Sequence, residues 1–325
     1  MAQLHSAFTL FLSLLVEAMP FLLLGVVLSS GLLALAEDRQ ILARFPKNPL
    51  LGAVFGSFLG FLFPACECGN VPVARRLLLQ GVPSSVAIAF LLAAPTLNPI
   101  VLWSTWIAFR QQPQIVVLRF VFSLIVAVTI SAIFSVQKNT QPLLREQLAK
   151  RLSVKQRYEK PSAQWSGGGF SRTQTSLPLV SAVALNPQAS VNQRLWIFLE
   201  NAAQELRDLG AMLVLGCAIA AAIQSFVPRD LILGLGQGTL SSILVMLLLG
   251  MVVSICSTVD AFFALSFAAV FTPSSLLGFL VLGPIIDIKS LGLLLSVFRP
   301  RIVAYLLILS VQLVLLLCLI HSYFF

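Results

Sequence analysis

The chain is a series of long apolar stretches separated by short polar interruptions. Ser6–Ala36 contains one charge, Glu17; Leu50–Ala65 contains none; Leu77–Phe109 contains none but is broken by Pro83, Pro95 and Pro99; Gln114–Val136 contains only Arg119. After a polar interval the pattern resumes with Leu209–Val227, Leu231–Val259, Ala261–Ile286 and Ile302–Phe325. A membrane-spanning helix needs roughly 20 apolar residues, so this pattern predicts an all-α polytopic membrane protein with about 8–10 membrane segments, some of them broken helices. Ser6–Ala36 is too long for a signal-peptide core and lacks a basic leader, so it reads as a retained first helix.

The polar interval, residues 137–193, carries eight Lys or Arg against Glu146 and Glu159, together with Ser166-Gly167-Gly168-Gly169. It reads as a partly disordered linker with an amphipathic helix near Leu143–Leu152. Its positive excess predicts a cytoplasmic position, and hence an inner-membrane protein. Residues 1–136 and 194–325 then form two transmembrane units.

The two units resemble each other. Gly60 and Gly250, Cys66 and Cys256, and Pro83-Ser84-Ser85 and Pro273-Ser274-Ser275 each differ by 190 positions. With one residue deleted, Pro95-Thr96-Leu97-Asn98 falls on Pro284-Ile285-Ile286-Asp287, and Glu17 lies near the counterpart of Glu205. This order predicts a duplication, a common plan in transporters. Arg299 and Arg301 on the linker side favour inverted halves, although Arg110 and Arg119 blur the charge pattern.

Composition adds exclusions. Charged residues make up only 10% of the chain and apolar residues 58%, far from a water-soluble profile. The net charge of +9 lies largely in the linker and comes with no groove-reading or base-stacking element, so nucleic acid is not expected as a partner. No lysine-bearing phosphate loop is present; Gly234-Leu235-Gly236-Gln237-Gly238-Thr239 reads as a turn. No cofactor is expected. The five cysteines are odd in number and lie in apolar sequence, which argues against a disulfide framework.

Candidate chemistry sits where the apolar runs break. Phe63-Pro64-Ala65-Cys66-Glu67-Cys68-Gly69-Asn70-Val71-Pro72 places two prolines, a glycine, a carboxylate and two thiols inside apolar sequence. Irregular backbone at membrane depth survives only where protein or a water-filled cavity covers it, and such breaks commonly hold a transporter's site. The corresponding stretch of the second half is Ser254-Ile255-Cys256-Ser257-Thr258-Val259-Asp260. Each half has a second break, at Pro95-Thr96-Leu97-Asn98-Pro99 and at Gly283-Pro284-Ile285-Ile286-Asp287-Ile288-Lys289.

An ionised group at mid-bilayer costs about 2.5–3.5 kcal/mol on insertion scales. Glu67, Asp260, Asp287 and Lys289 therefore need a partner or a purpose, and Asp287 and Lys289 could neutralise each other. A buried carboxyl that takes up a proton could also couple transport to protons. Cys66, Cys68 and Cys256 would form a soft, roughly trigonal site if the halves converge, although buried cysteines commonly serve as packing. Cys217 and Cys318 read as packing. Arg75 and Arg76 read as interface anchors, and Glu205 as part of an amphipathic membrane entry with local ion pairs. Glu17 is a candidate proton or helix-contact site.

The motif Cys66-Glu67-Cys68-Gly69…Pro72-Val73-Ala74-Arg75-Arg76-Leu77…Gly81-Val82-Pro83, with Ala94-Pro95-Thr96-Leu97-Asn98-Pro99, resembles the predicted permease family of the YraQ and ArsP type. Cys256-Ser257-Thr258-Val259-Asp260-Ala261-Phe262 and Gly283-Pro284-Ile285-Ile286-Asp287-Ile288-Lys289 resemble its second signature. The resemblance covers most of the chain outside the linker. It implies a permease, with relatives that export trivalent organoarsenicals or act beside a small second membrane subunit.

The residues and the resemblance together lead to the expectation of a permease for efflux of a small thiophilic solute. Its pathway would run through Cys66, Glu67, Cys68, Gly69, Asn98, Cys256, Asp260, Asp287 and Lys289. One alternative is an ion or polar-solute permease with structural cysteines. Another is a membrane thiol oxidoreductase cycling Cys66 and Cys68, for which no quinone- or flavin-binding signature is visible.

Overall fold

The computed structural model describes residues 2–35, 46, 48–63, 66–135, 191–226 and 238–324. The linker residues 137–190, including the helix expected near Leu143–Leu152, lie outside the described residues, as does most of the turn at Gly234. The regular elements among the described residues are helices: α1 (Ala2–Leu35), α2 (Pro49–Leu62), α3 (Glu67–Gln80), α4 (Ser84–Leu97), α5 (Pro99–Ala108), α6 (Pro113–Ser135), α7 (Val191–Phe226), α8 (Thr239–Val253), α9 (Asp260–Leu265), α10 (Pro273–Ile285), α11 (Ile288–Val297) and α12 (Pro300–Phe324). α7 begins at Val191, three residues ahead of the expected start of the second unit. Helix lengths run 34, 14, 14, 14, 10 and 23 residues before the linker, and 36, 15, 6, 13, 10 and 25 after it. The sequence of long, short and long elements thus recurs, with α9 the one truncated member.

Six stretches among the described residues are long and apolar enough to span a bilayer: His5–Gly31, Ser84–Ala108, Pro113–Ser135, Phe198–Gln224, Pro273–Val297 and Pro300–Phe324. Two of these are broken helices, α4–α5 at Asn98 and α10–α11 at Ile286-Asp287.

The remaining short helices form hairpins. α2 packs on α4 through Gly52, Gly56 and Gly60, which face Ser85, Val86 and Ala89, and Ala93 and Ala94 in turn. Contacts that advance together along both helices make α2 and α4 parallel. The stripe of small residues at four-residue spacing is what permits the close approach. Gly81, with φ 92°, ends α3: its N–H donates to Leu78 O and the Val82 N–H to Leu77 O, a pairing that reverses the chain. Only Gly81-Val82-Pro83 then separates α3 from the start of α4. α3 therefore runs antiparallel to α4 and so to α2, and α2 and α3 form a hairpin that enters and leaves on one side, with Phe63 and Cys66 flanking its tip.

In the second unit, Leu247 meets Gly278 while Gly250 meets Phe279 and Gly283, so α8 and α10 are also parallel. The chain from Ser254 to Thr272 must therefore lead back to the level at which α8 begins, with α9 packed on α5 and α10, forming a second hairpin. The described residues thus comprise six stretches long and apolar enough to span a bilayer and two hairpins.

A Cβ on Gly56 would lie 2.3 Å from the backbone oxygen of Val86, which no side-chain rotation can relieve. Gly56→Ala is therefore expected to separate α2 from α4 and cost about 1–3 kcal/mol, measurable by denaturant titration in detergent.

Candidate functional site

The first hairpin tip and the second broken helix meet between the two longest helices. Gly25 of α1 lies against the first turn of α3, where an added Cβ would collide with the backbone of Gly69; Gly216 of α7 lies against Lys289, where an added Cβ would sit 3.0 Å from its carbonyl oxygen. This close approach is the role the structure gives Gly69. α1 and α7 also pack on each other, with Ser29 Oγ donating to Glu205 Oε2 at 2.9 Å. Glu205 thus bridges two long helices. Glu17 lies half-buried on α1, within electrostatic range of Cys217 on α7.

At the centre, Lys289 Nζ lies 2.9 Å from Glu67 Oε1 and 3.8 Å from Asp287 Oδ2, with all three side chains buried. Lys289 is ion-paired with Asp287 as expected, but its nearer partner is Glu67 from the first unit. Asp287 also caps α11, accepting from Ser290 N at 2.6 Å, while its own N–H donates to Ser290 Oγ at 3.0 Å. Lys289 Nζ also donates to Ser254 O at 3.3 Å.

Ser254 is the one described non-glycine residue at positive φ (48°), and its buried Oγ has no hydrogen-bond partner. The left-handed backbone turns its carbonyl toward Lys289 at the second hairpin tip. Ser254→Gly removes an unfavourable conformation worth about 1–2 kcal/mol and no side-chain hydrogen bond. The variant should be as stable as the parent or more so by thermal unfolding, and a clear loss of stability would contradict the strain.

The thiols surround this ion pair. Cys66 N-caps α3, and its thiol lies within hydrogen-bonding reach of those of Cys68 and Cys256. The structure therefore brings Cys66, Glu67, Cys68, Cys256, Asp287 and Lys289 together. Among the described residues, however, no group of three His, Cys, Asp or Glu side chains has geometry that could hold a metal ion. Cys66, Cys68 and Cys256 are neighbours without a trigonal ligand set in this conformation. The cavity beside Glu67, walled by Val71, Leu91, Pro95, Ile286 and Leu294, measures about 10 Å³, room for little more than one water. The site is closed.

Asp260 and Asn98 lie in a second cluster. Asp260, at the start of α9, is held by Arg119 of α6 through two contacts: Nη2 donates to Oδ2 at 2.6 Å and Nη1 to Oδ1 at 3.1 Å. Arg119 Nη1 also donates to Thr105 of α5 at 2.7 Å. Asn98 caps α5, accepting from Ile100 N at 3.0 Å, and α5 packs on α9. Asp260 remains within electrostatic range of Glu67. Each cluster therefore joins the two units through a buried ion pair.

Arg119 and Thr105 were not anticipated as site residues. The available signal was Arg119 standing as the lone charge in an apolar run. Arg75 is buried and ion-paired with half-exposed Asp208 of α7 at 3.5 Å, so it ties α3 to α7.

Six apolar spans, broken helices and buried ion pairs between two units define a multi-pass helical membrane transporter. Residues 3–323 match the family described as a predicted permease, ArsP_1, and the chain belongs to that family. It is 39% identical to the UPF0718 protein YcgR of Bacillus subtilis (strain 168), covering 91% of this chain and 90% of that protein. It is 33% identical to a putative two-component membrane permease complex subunit of Streptococcus mutans serotype c, covering 90% and 87% respectively. No solved structure matches the chain. Membership of a permease family sets aside the thiol oxidoreductase alternative.

Proposed function

We propose that the chain is a permease of the cytoplasmic membrane, built from two duplicated halves inserted in opposite senses, that exports a small thiophilic solute such as a trivalent metalloid or organoarsenical. Three spans and one hairpin per half give an odd number of crossings, which supports the inversion. With the linker cytoplasmic, that topology also puts Arg299 and Arg301 inside and Arg110 outside, in keeping with the positive-inside rule.

The observation that carries the transport reading is the Glu67–Lys289 pair, a buried contact between a hairpin tip of one half and a helix break of the other, with three thiols beside it. Opening this contact from either side would expose the thiols to a solute in turn. Following the relative named as one subunit of a two-component permease, we include a second membrane polypeptide in the working complex.

Uptake of trivalent methylarsenite into everted vesicles tests the cargo. Wild-type vesicles should accumulate it, and Cys66→Ser and Cys256→Ser should each lose most of that uptake. Equal uptake by both variants would remove the thiols from the pathway. A second reading, an ion or polar-solute permease whose cysteines only pack, is favoured by the absence of a three-ligand geometry among the described residues. It predicts that Glu67→Gln abolishes transport while serine at all five cysteines does not.

A further inference from the structure

The two clusters, each built from both halves, are related by the offset between the halves. An offset of 189 places α5 (Pro99–Ala108) on α11 (Ile288–Val297), and one of 190 places α3 across the stretch containing α9. The contact of α3 with α11 is thus matched by that of α9 with α5. Their surroundings differ sharply. α1 and α7 cover α3 and α11 so completely that neither helix has an exposed residue. α6 reaches α5 and α9 from within, through Arg119, but among the described residues no long helix covers their outer face. Trp103 is 68% exposed, Trp106 and Phe262 47% each and Leu265 43%. The non-helical turns that follow α9 are open too, with Ser266, Ala268, Ala269 and Val270 exposed.

Lipid explains exposed apolar side chains on a continuous span, but it does not explain this face. α5 is about 15 Å long, half a bilayer, and α9 is shorter still. Broken helices and irregular backbone are not left against lipid at membrane depth; other protein covers them. The first cluster shows what such a cover looks like: two long apolar helices, each with a glycine set on the first turn of a short helix.

We propose that the face formed by Trp103, Trp106, Phe262, Leu265 and Val270 is the docking surface for a distinct membrane polypeptide that supplies a pair of apolar spanning helices. A second copy of this chain fits less well, because its α1 and α7 already spend their small-residue faces on its own α3 and α11. The linker, with its eight Lys and Arg, is too polar to lie against this surface within the bilayer. The proposal rests on the two-component reading above and specifies where the second component binds.

Photo-crosslinking in the native cell tests it, with benzoylphenylalanine replacing Trp103 or Phe262 and, as controls on other exposed faces, Phe8 or Phe58. Positions 103 and 262 should both crosslink to one and the same polypeptide, at peptides within its apolar spanning helices, and the controls should not. The double variant Trp103→Ala/Phe262→Ala should stay in the membrane yet lose co-migration with that polypeptide on native gels. Crosslinks from 103 and 262 only to lipid, to the linker or to a second copy of this chain would overturn the proposal. So would partner crosslinks from positions 8 and 58 alone, which would keep a second component and move its site. If the purified chain by itself transports at the rate of native membranes, the two-component reading fails instead.

Discussion

Lys289→Met should destabilise the protein by about 3–5 kcal/mol and abolish transport, because it leaves Glu67 and Asp287 buried without their cation. Lys289 is 2% exposed and Glu67 5%, so water cannot take over the lost pairing. The companion substitution separates stability from function. Glu67→Gln/Lys289→Met replaces the pair by neutral groups of similar size, and the α11 cap on Asp287 survives because Ser290 is untouched. The double variant should regain most of the stability lost by the single one while transport stays absent. A double-mutant cycle by denaturant titration measures the coupling. Additive losses would mean that the two side chains do not act as a pair.

The second large effect belongs to Arg119 and Asp260. Asp260→Asn leaves a fully buried guanidinium with only Thr105 and its neighbours to balance it, and a loss of about 3–5 kcal/mol is expected. Arg119→Met/Asp260→Leu should be close to wild type in stability, since an apolar pair avoids the desolvation cost altogether. α9 is less than two turns long, and this pair clamps its first residue to α6. The single variant should therefore also speed amide hydrogen exchange across 256–272 before it does so in α10. Unchanged exchange there would show that the hairpin tip is held by packing alone.

Much of this arrangement was legible in the chain. The apolar runs marked the spans, and the residues that interrupt them marked Cys66, Glu67, Asn98, Cys256, Asp260, Asp287 and Lys289 as buried points of interest. Which charge pairs with which was not legible. Glu67 and Lys289 are 222 positions apart and meet only because Gly25 and Gly216 let two long helices press both broken segments together. Arg119 was visible as an isolated charge, but its partner depends on the second hairpin folding back against α5. The hairpins themselves were hidden for a related reason. A 14-residue apolar helix looks alike whether it begins a span or turns back, and only the parallel contact of Gly52, Gly56 and Gly60 with α4 decides between them.

The opposite insertion of the two halves underlies the proposed transport cycle, and side-specific labelling tests it most directly. In a background with all five cysteines changed to serine, Gln80→Cys marks the mouth of the first hairpin and Thr272→Cys the mouth of the second. A membrane-impermeant maleimide should label the Thr272→Cys protein in intact spheroplasts and the Gln80→Cys protein only in everted vesicles. Labelling of both from the same side would contradict the inverted arrangement.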